Sequence, residues 1–220
     1  VPPSHPTSQP TLRTDAERNR IAVIEAARDV FAEHGLDAPM TEVARRAGVG
    51  IATLYRRFPT RDDLITGVFE GKMAAYLDAA TTALEDADPW HGFCRYVERV
   101  CTMQYEDRGF TTVLTMTFPR AEAFEANRAA AYRGFEKLIA KAKAGGRLRP
   151  EFRSQDLVML LMANAGVVAS AGDAAPAASK RLVSYLIAAC DAQRQHALAP
   201  APTKRQMYDA MQSGSCDQGT

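Results

Sequence analysis

A chain of 220 residues, 46% of them hydrophobic, can bury a sizeable core, and its formal net charge of +1, from 27 Lys and Arg against 26 Asp and Glu, excludes a basic coat over the whole surface. Any binding to a polyanion has to come from locally clustered charge. The cysteines at 94, 101, 190 and 216 show no Cys-x-x-Cys spacing. The first two would stand about 10 Å apart along a helix, so reduced thiols are expected and a metal site is not.

Residues 1–13 carry four prolines and no periodicity, and read as a flexible tail. Thr14-Asp15-Ala16-Glu17 has the spacing of a capping box, after which Val23, Ile24, Ala27, Val30 and Phe31 recur at helical period until Gly35. Two shorter helical patterns then occupy 41–58, hinged on Ala47-Gly48-Val49-Gly50, with Pro39 leaving no hydroxyl cap at the start of the first. Val43, Ala44, Ala47, Val49, Leu54 and Phe58 can face inward around the hinge, which leaves Arg45, Arg46, Thr53, Tyr55 and Arg57 free to meet solvent or nucleic acid. Gly48 supplies the backbone freedom of the sharp turn. Between Thr41 and Arg61 five arginines stand against one acid, Glu42, a patch that a phosphate backbone would favour. With the helix before it, this makes a three-helix unit over 14–60.

Pro59 stops the second hinge helix, Thr60 can cap the next, and Asp62 and Asp63 fall in its first turn. Its pattern runs through Val68, Met73, Tyr76, Leu77 and Leu84 to Asp88-Pro89. Helices follow over 90–104, 110–118 and 121–144, broken at Pro119 and Gly145-Gly146. No strand alternation competes, so the fold class is all-α, with a helical second domain over 61–196. The stretch 157–171 is apolar nearly all round but too short to span a bilayer, and 180–190 has two apolar stripes. The pair fits a two-fold four-helix interface through Leu157, Leu161, Gly166, Leu182 and Leu186, and predicts a homodimer. Between these segments Met73, Tyr76, Trp90, Phe93, Val97, Phe110, Phe118, Phe135 and Met162 are candidate walls of a cavity for a small, largely apolar effector. Gln104, Tyr132 and Asn164 are its candidate polar anchors. The polar end, 197–220, reads as a second tail, with a short helix expected at 204–211.

The histidines at 5, 34, 91 and 196 are scattered and no catalytic or phosphate-loop motif is present, so neither enzyme activity nor a cofactor is expected. Without a signal-peptide pattern or an apolar run of eighteen residues, the expectation is a cytoplasmic protein with no membrane partner.

At motif level, over roughly 14–70, the chain resembles the TetR family of bacterial transcriptional regulators. The resemblance rests on Phe31 to Gly35, on Val43-Ala44-Arg45-Arg46-Ala47-Gly48-Val49-Gly50, and on Thr53-Leu54-Tyr55-Arg56-Arg57-Phe58 followed by Arg61 and Leu64. Gly50 stands where the family usually has a serine cap, and Arg61 replaces the common lysine. The resemblance implies a repressor that binds a palindromic double-stranded DNA operator as a homodimer and leaves it when an effector binds. It also implies that Thr53, Tyr55 and Arg61 contact phosphates while Ile51, Ala52 and Arg57 lie toward base edges or the adjacent backbone. The whole candidate DNA-contacting set is Thr41, Arg46, Gly50, Ile51, Ala52, Thr53, Tyr55, Arg56, Arg57 and Arg61. Periodicity leaves open whether Arg56 or Arg57 reaches a base. The rival reading is a helical ligand-binding or adaptor protein without sequence-specific DNA binding.

Overall fold

The computed structural model describes residues 9–193, 202–206 and 209. The expected tails at 1–8, 197–201, 207–208 and 210–220 lie outside the described residues, and so do Cys216 and most of the helix expected at 204–211, of which 204–206 and 209 are helical. Among the described residues the regular structure is helical, apart from one isolated antiparallel bridge between Leu148 and Asp191. Two compact units divide after Val68.

The first unit holds α1 (Gln9–His34), α2 (Met40–Ala47), α3 (Ile51–Arg57) and the first turns of α4 (Arg61–Glu85). The α1 stripe that periodicity predicts is buried, with Val23, Ala27, Val30 and Phe31 packed into one core with Val43, Ala44, Leu54, Phe58, Leu64 and Val68. The first compact unit takes in the start of α4, where Leu64, Ile65 and Val68 are buried. One boundary differs more sharply: α1 starts at Gln9, not after Thr14. Pro10 then sits in the first turn, where its missing N–H breaks no intrahelical bond. The cap expected at Thr60 is present, with Asp63 N–H donating to Thr60 Oγ1 at 3.1 Å and Thr60 N–H to Asp63 Oδ2 at 2.9 Å.

The second unit continues α4 and adds α5 (Pro89–Glu106), α6 (Arg108–Thr115), α7 (Glu122–Ala144), α8 (Ser154–Ser170) and α9 (Ala175–Cys190). Helix α5 is its centre, packed against α6, α7, α8 and α9. Asp88 caps it by accepting from the Trp90 and His91 N–H groups, so Asp88-Pro89 starts α5 as well as ending the pattern of α4. Helix α6 begins at Arg108, where Asp107 accepts from Phe110 N–H, and ends short of the Phe118 that the pattern suggested. After α7 the chain turns at Gly146 (φ 75°) and clasps the end of α9: Arg149 N–H donates to Cys190 O at 3.0 Å, and Ala192 N–H to Arg147 O at 2.8 Å. The Arg149 guanidinium, 4% exposed, donates to Ala189 O at 3.0 Å and so satisfies one of the carbonyls that a helix end leaves open.

Helix α5 lies against the end of α4 at Gly92, where a Cβ would clash with the backbone carbonyl of Ala83 and come within 3.1 Å of Asp86 Cβ. Gly92→Ala should therefore destabilise the protein by about 1–3 kcal/mol, whereas Gly71→Ala, on a helical position with open space beside it, should stabilise by about 0.5–1 kcal/mol. Thermal and urea denaturation of the two variants check this, and equal shifts would contradict the close approach.

Candidate nucleic-acid interface and candidate effector core

Helix α2 ends on Gly48, whose left-handed backbone (φ 67°, ψ 26°) lets its N–H and that of Val49 reach back to Arg45 O and Ala44 O. Gly50 then caps α3 with extended backbone and no side-chain hydrogen bond. Leu54, 0% exposed, fixes the rotation of α3. That rotation turns Ile51, Ala52, Tyr55, Arg56 and Arg57 outward and leaves Thr53 half-buried. Ile51 and Tyr55 are 39% and 46% exposed, unusual for large hydrophobic side chains in so small a unit. Thr41 and Gly50 are also exposed.

Two of the expected DNA-contacting arginines are spent inside the unit. Arg61 is half-buried and its Nη1 donates to Leu36 O at 2.7 Å and to Ala38 O at 2.6 Å, so it ties the α1–α2 loop to the start of α4. Both carbonyls belong to the loop after α1, so one amino group of the guanidinium is engaged within the unit. Arg46 forms a two-pronged pair with Glu33, at 2.7 and 2.8 Å, which joins the ends of α1 and α2. Its hydrogen bonds hold the Glu33 carboxyl below the usual range, and Arg45, which bonds Glu42 at 2.6 and 2.9 Å, does the same there. No sequence rule pairs residues 13 apart, so the Glu33–Arg46 pair had no local signal.

In the second unit the structure buries Met73, Tyr76, Phe93, Val97, Gln104, Phe110, Phe118, Phe135 and Asn164, and half-buries Trp90, Tyr132 and Met162. It brings only some of them together. Phe93 stacks between Trp90 (5.6 Å) and Phe135 (6.0 Å), joined by two residues the sequence did not single out, Tyr96 (5.0 Å from Phe135) and Phe152 (5.3 Å from Phe93). Phe110 packs instead on Phe69, and Phe118 on Phe124.

The expected polar anchors have other partners. Gln104 Nε2 donates to Leu161 O at 3.1 Å, Asn164 Nδ2 to Gln104 Oε1 at 2.9 Å, and Ser179 Oγ to Asn164 Oδ1 at 2.8 Å. These two amides therefore pin α5, α8 and α9 together rather than wait for a ligand. Tyr132 shares a 2.6 Å hydrogen bond with Ser154, and Lys204 lies over its ring at 5.5 Å. The Tyr96 hydroxyl is fully buried and faces that of Tyr76, the two rings standing 6.2 Å apart. Tyr96 also lines a groove of about 440 Å³ between α4 and α5.

The expected interface residues divide. Leu157 and Leu161, 2% and 4% exposed, belong to the chain's own core and offer almost no surface to a partner. Gly166 is exposed with open space beside it, and Leu182 and Leu186 are half-buried. The exposed large side chains on this pair of helices are Met159 (39%) and Tyr185 (60%). Among the described residues no cluster of His, Cys, Asp and Glu could hold a metal, and no helix is long and apolar enough to cross a membrane. Cys94, Cys101 and Cys190 are free thiols, each pushed up to about 12 mainly by burial, which leaves them poor nucleophiles.

Residues 23–68 match the family of bacterial regulatory proteins called tetR, and residues 88–189 match the C-terminal domain of SbtR-like transcriptional regulators. The HTH-type transcriptional repressor LfrR of Mycolicibacterium smegmatis is 36% identical over 87 residues, 39% of this chain and 43% of LfrR. An HTH-type transcriptional regulator of Staphylococcus aureus is 33% identical over 67 residues, 30% of this chain and 36% of that protein. The chain thus matches less than half the length of these curated relatives. A TetR transcriptional regulator of Streptomyces coelicolor superposes with a TM-score of 0.50 at 28% identity, over 78% of this chain and 98% of that one. The regulator FadR of Bacillus subtilis, solved with stearoyl-CoA, shares the fold with a TM-score of 0.56 at 16% identity, over 76% of this chain and 97% of its own.

If Arg61 is the tie described, Arg61→Ala should lower the unfolding free energy by on the order of 1–3 kcal/mol, the range for charge-assisted hydrogen bonds. Urea denaturation followed by circular dichroism measures it, and an unchanged midpoint would return Arg61 to the set of free cations.

Proposed function

The chain belongs to the TetR family of bacterial regulatory proteins, and from that premise we propose a cytoplasmic repressor that binds a palindromic operator as a homodimer and leaves it when a small molecule binds the second unit. As a TetR-family transcriptional regulator with a helix-turn-helix DNA-binding domain it is not an enzyme. The observation that carries the finer reading is the outward face of α3, where Tyr55, Arg56 and Arg57 stand exposed beside Ile51 and Ala52 while Leu54 anchors the helix from behind. Such a face suits a major groove. Tyr55, Thr53 and Thr41 can donate to phosphates, guanidinium can read guanine with two bonds, and Ile51 and Ala52 offer only apolar contact, suited to a thymine methyl. A palindrome requires two copies of this face, and the Met159, Gly166, Tyr185 side of α8 and α9 is the surface proposed to join them. Helix α4 starts in the first unit and ends in the second, so it is the element through which a ligand preferring one operator spacing would change DNA affinity.

Binding-site selection from a random duplex library, followed by a screen for ligands that abolish binding, tests the whole reading. Within it, Arg57→Ala should cost on the order of 1–3 kcal/mol per half-site and relax base preference at particular positions, whereas Tyr55→Phe should weaken operator and scrambled duplex alike. Gel shifts on both duplexes at several salt concentrations separate the roles, and an unchanged preference in Arg57→Ala would remove it from base readout.

For assembly, Met159→Glu should convert a dimer into a monomer with unchanged helix content, because it places a charge on the proposed contact face without disturbing the core. Light scattering coupled to sizing checks this, and a variant that stays dimeric moves the interface elsewhere.

A further inference from the structure

Beside the contact at Gly92, helices α4 and α5 flank an open groove of about 440 Å³. Ala75, Ala79 and Ala83 recur at every fourth position of α4, which keeps that wall shallow and apolar, and the buried Tyr96 belongs to the wall opposite. The volume suits a small ligand.

The two walls differ in charge. Helix α4 contributes Asp78 and, just past its end, Asp86, whereas α5 contributes Arg95 and Arg99 together with Glu98. Two of these are already engaged: Asp86 accepts from Asp88 N–H at 3.0 Å and shares a 2.8 Å bond with His91 Nδ1, and Arg99 pairs with Glu106 on its own helix at 3.2 Å. Glu98 also lines the two grooves between α5 and α9, so it belongs to the outer ridge of α5 as much as to this groove. Asp78 and Arg95 remain. Both are exposed, they stand on opposite walls, and among the described residues neither makes a hydrogen bond or an ion pair. Arg95 feels Asp86 only as a charge beyond bonding distance. A ligand of one sign would meet one of these side chains favourably and the other unfavourably, so the groove selects a molecule that carries both signs.

We propose that the α4–α5 groove binds a short zwitterionic peptide of small residues, with its ammonium on Asp78, its carboxylate in the fork of the Arg95 guanidinium and its side chains along Ala75, Ala79 and Ala83. The hydroxyls of Thr82 and Thr102, one on each wall, serve the peptide amides. This rests on the effector reading of the second unit and names its ligand class: a molecule that bridges the walls fixes the spacing of α5 from α4, and α4 begins in the first unit.

Four probes with one body test it on the full chain by NMR titration: trialanine, its N-acetyl form, its C-terminal amide and the doubly blocked peptide. Free trialanine should bind about fivefold more tightly than either singly blocked form and about 25-fold more tightly than the doubly blocked one, the size that partly exposed ion pairs allow. Arg95→Gln should bring free trialanine down to the affinity of its amide while leaving the amide unaffected, and Asp78→Asn should bring it down to that of the N-acetyl form. Both positions are exposed, so helix content and melting temperature should not change. Ala79→Leu, which fills the groove without altering a charge, should weaken every probe that binds. Equal binding of the free and blocked peptides, unaltered affinity in Arg95→Gln and Asp78→Asn, or no binding by any of the four would overturn the proposal. Trialanine that binds with this charge dependence yet leaves operator affinity unaltered would support the site and refute effector release through it, so the two readings fail separately.

Discussion

The left-handed turn at Gly48 and the burial of Leu54 behind it are the constraint on which the outward side of α3 depends. The turn sets where α3 begins, and Leu54, with no exposed surface, sets its rotation. The outward turn of Ala52, Tyr55 and Arg56 follows from these two facts, since residues one and two positions from a fully buried leucine on a helix face away from it, while Ile51 and Arg57, three positions away, flank it. A Cβ at position 48 would meet no neighbour, so glycine is required there by backbone conformation and not by space.

Charge in the first unit is divided between structure and surface. Of the five arginines between Thr41 and Arg61, Arg45 and Arg46 are paired with Glu42 and Glu33, and Arg61 is turned onto two carbonyls. The local excess of positive charge seen in the sequence is therefore larger than the charge available to a phosphate backbone, and what remains is concentrated at Arg56 and Arg57 on α3. Counterion release depends on cations that can meet phosphates, so the number of arginines in a motif overstates the salt dependence to expect of it.

The sequence was most informative where geometry is local. Helical period and the apolar spacing around Gly48 placed α2 and α3, and Thr60 with Asp63 marked the start of α4, because a cap and the stripe behind it lie within a few residues of one another. It was least informative where a residue's partner is distant. Gln104 and Asn164 looked like ligand anchors because polar residues on apolar helices draw attention, but their partners lie 15 to 63 residues away on other helices. Leu157 and Leu161 were placed on an interface because α8 is apolar nearly all round, which hides the face that turns inward. The start of α1 was missed for another reason: a strong capping box at Thr14 suggests a beginning, but nothing in that motif prevents a helix from passing through it.

The two kinds of buried polar group in the second unit differ in what they allow the protein to do. The Gln104, Asn164 and Ser179 side chains satisfy one another across α5, α8 and α9, and moving any of these helices would break a bond that water cannot replace in the interior. That rigidity suits the part of the chain proposed to hold two copies in register. Tyr96, on the same α5, pairs only with the Tyr76 hydroxyl of α4 and otherwise packs against the Phe135 ring. A single hydroxyl pair is a weaker constraint than a three-residue network, so helix α5 is pinned more firmly on its α8–α9 side than toward α4, where a ligand would have to act for its binding to be felt along α4.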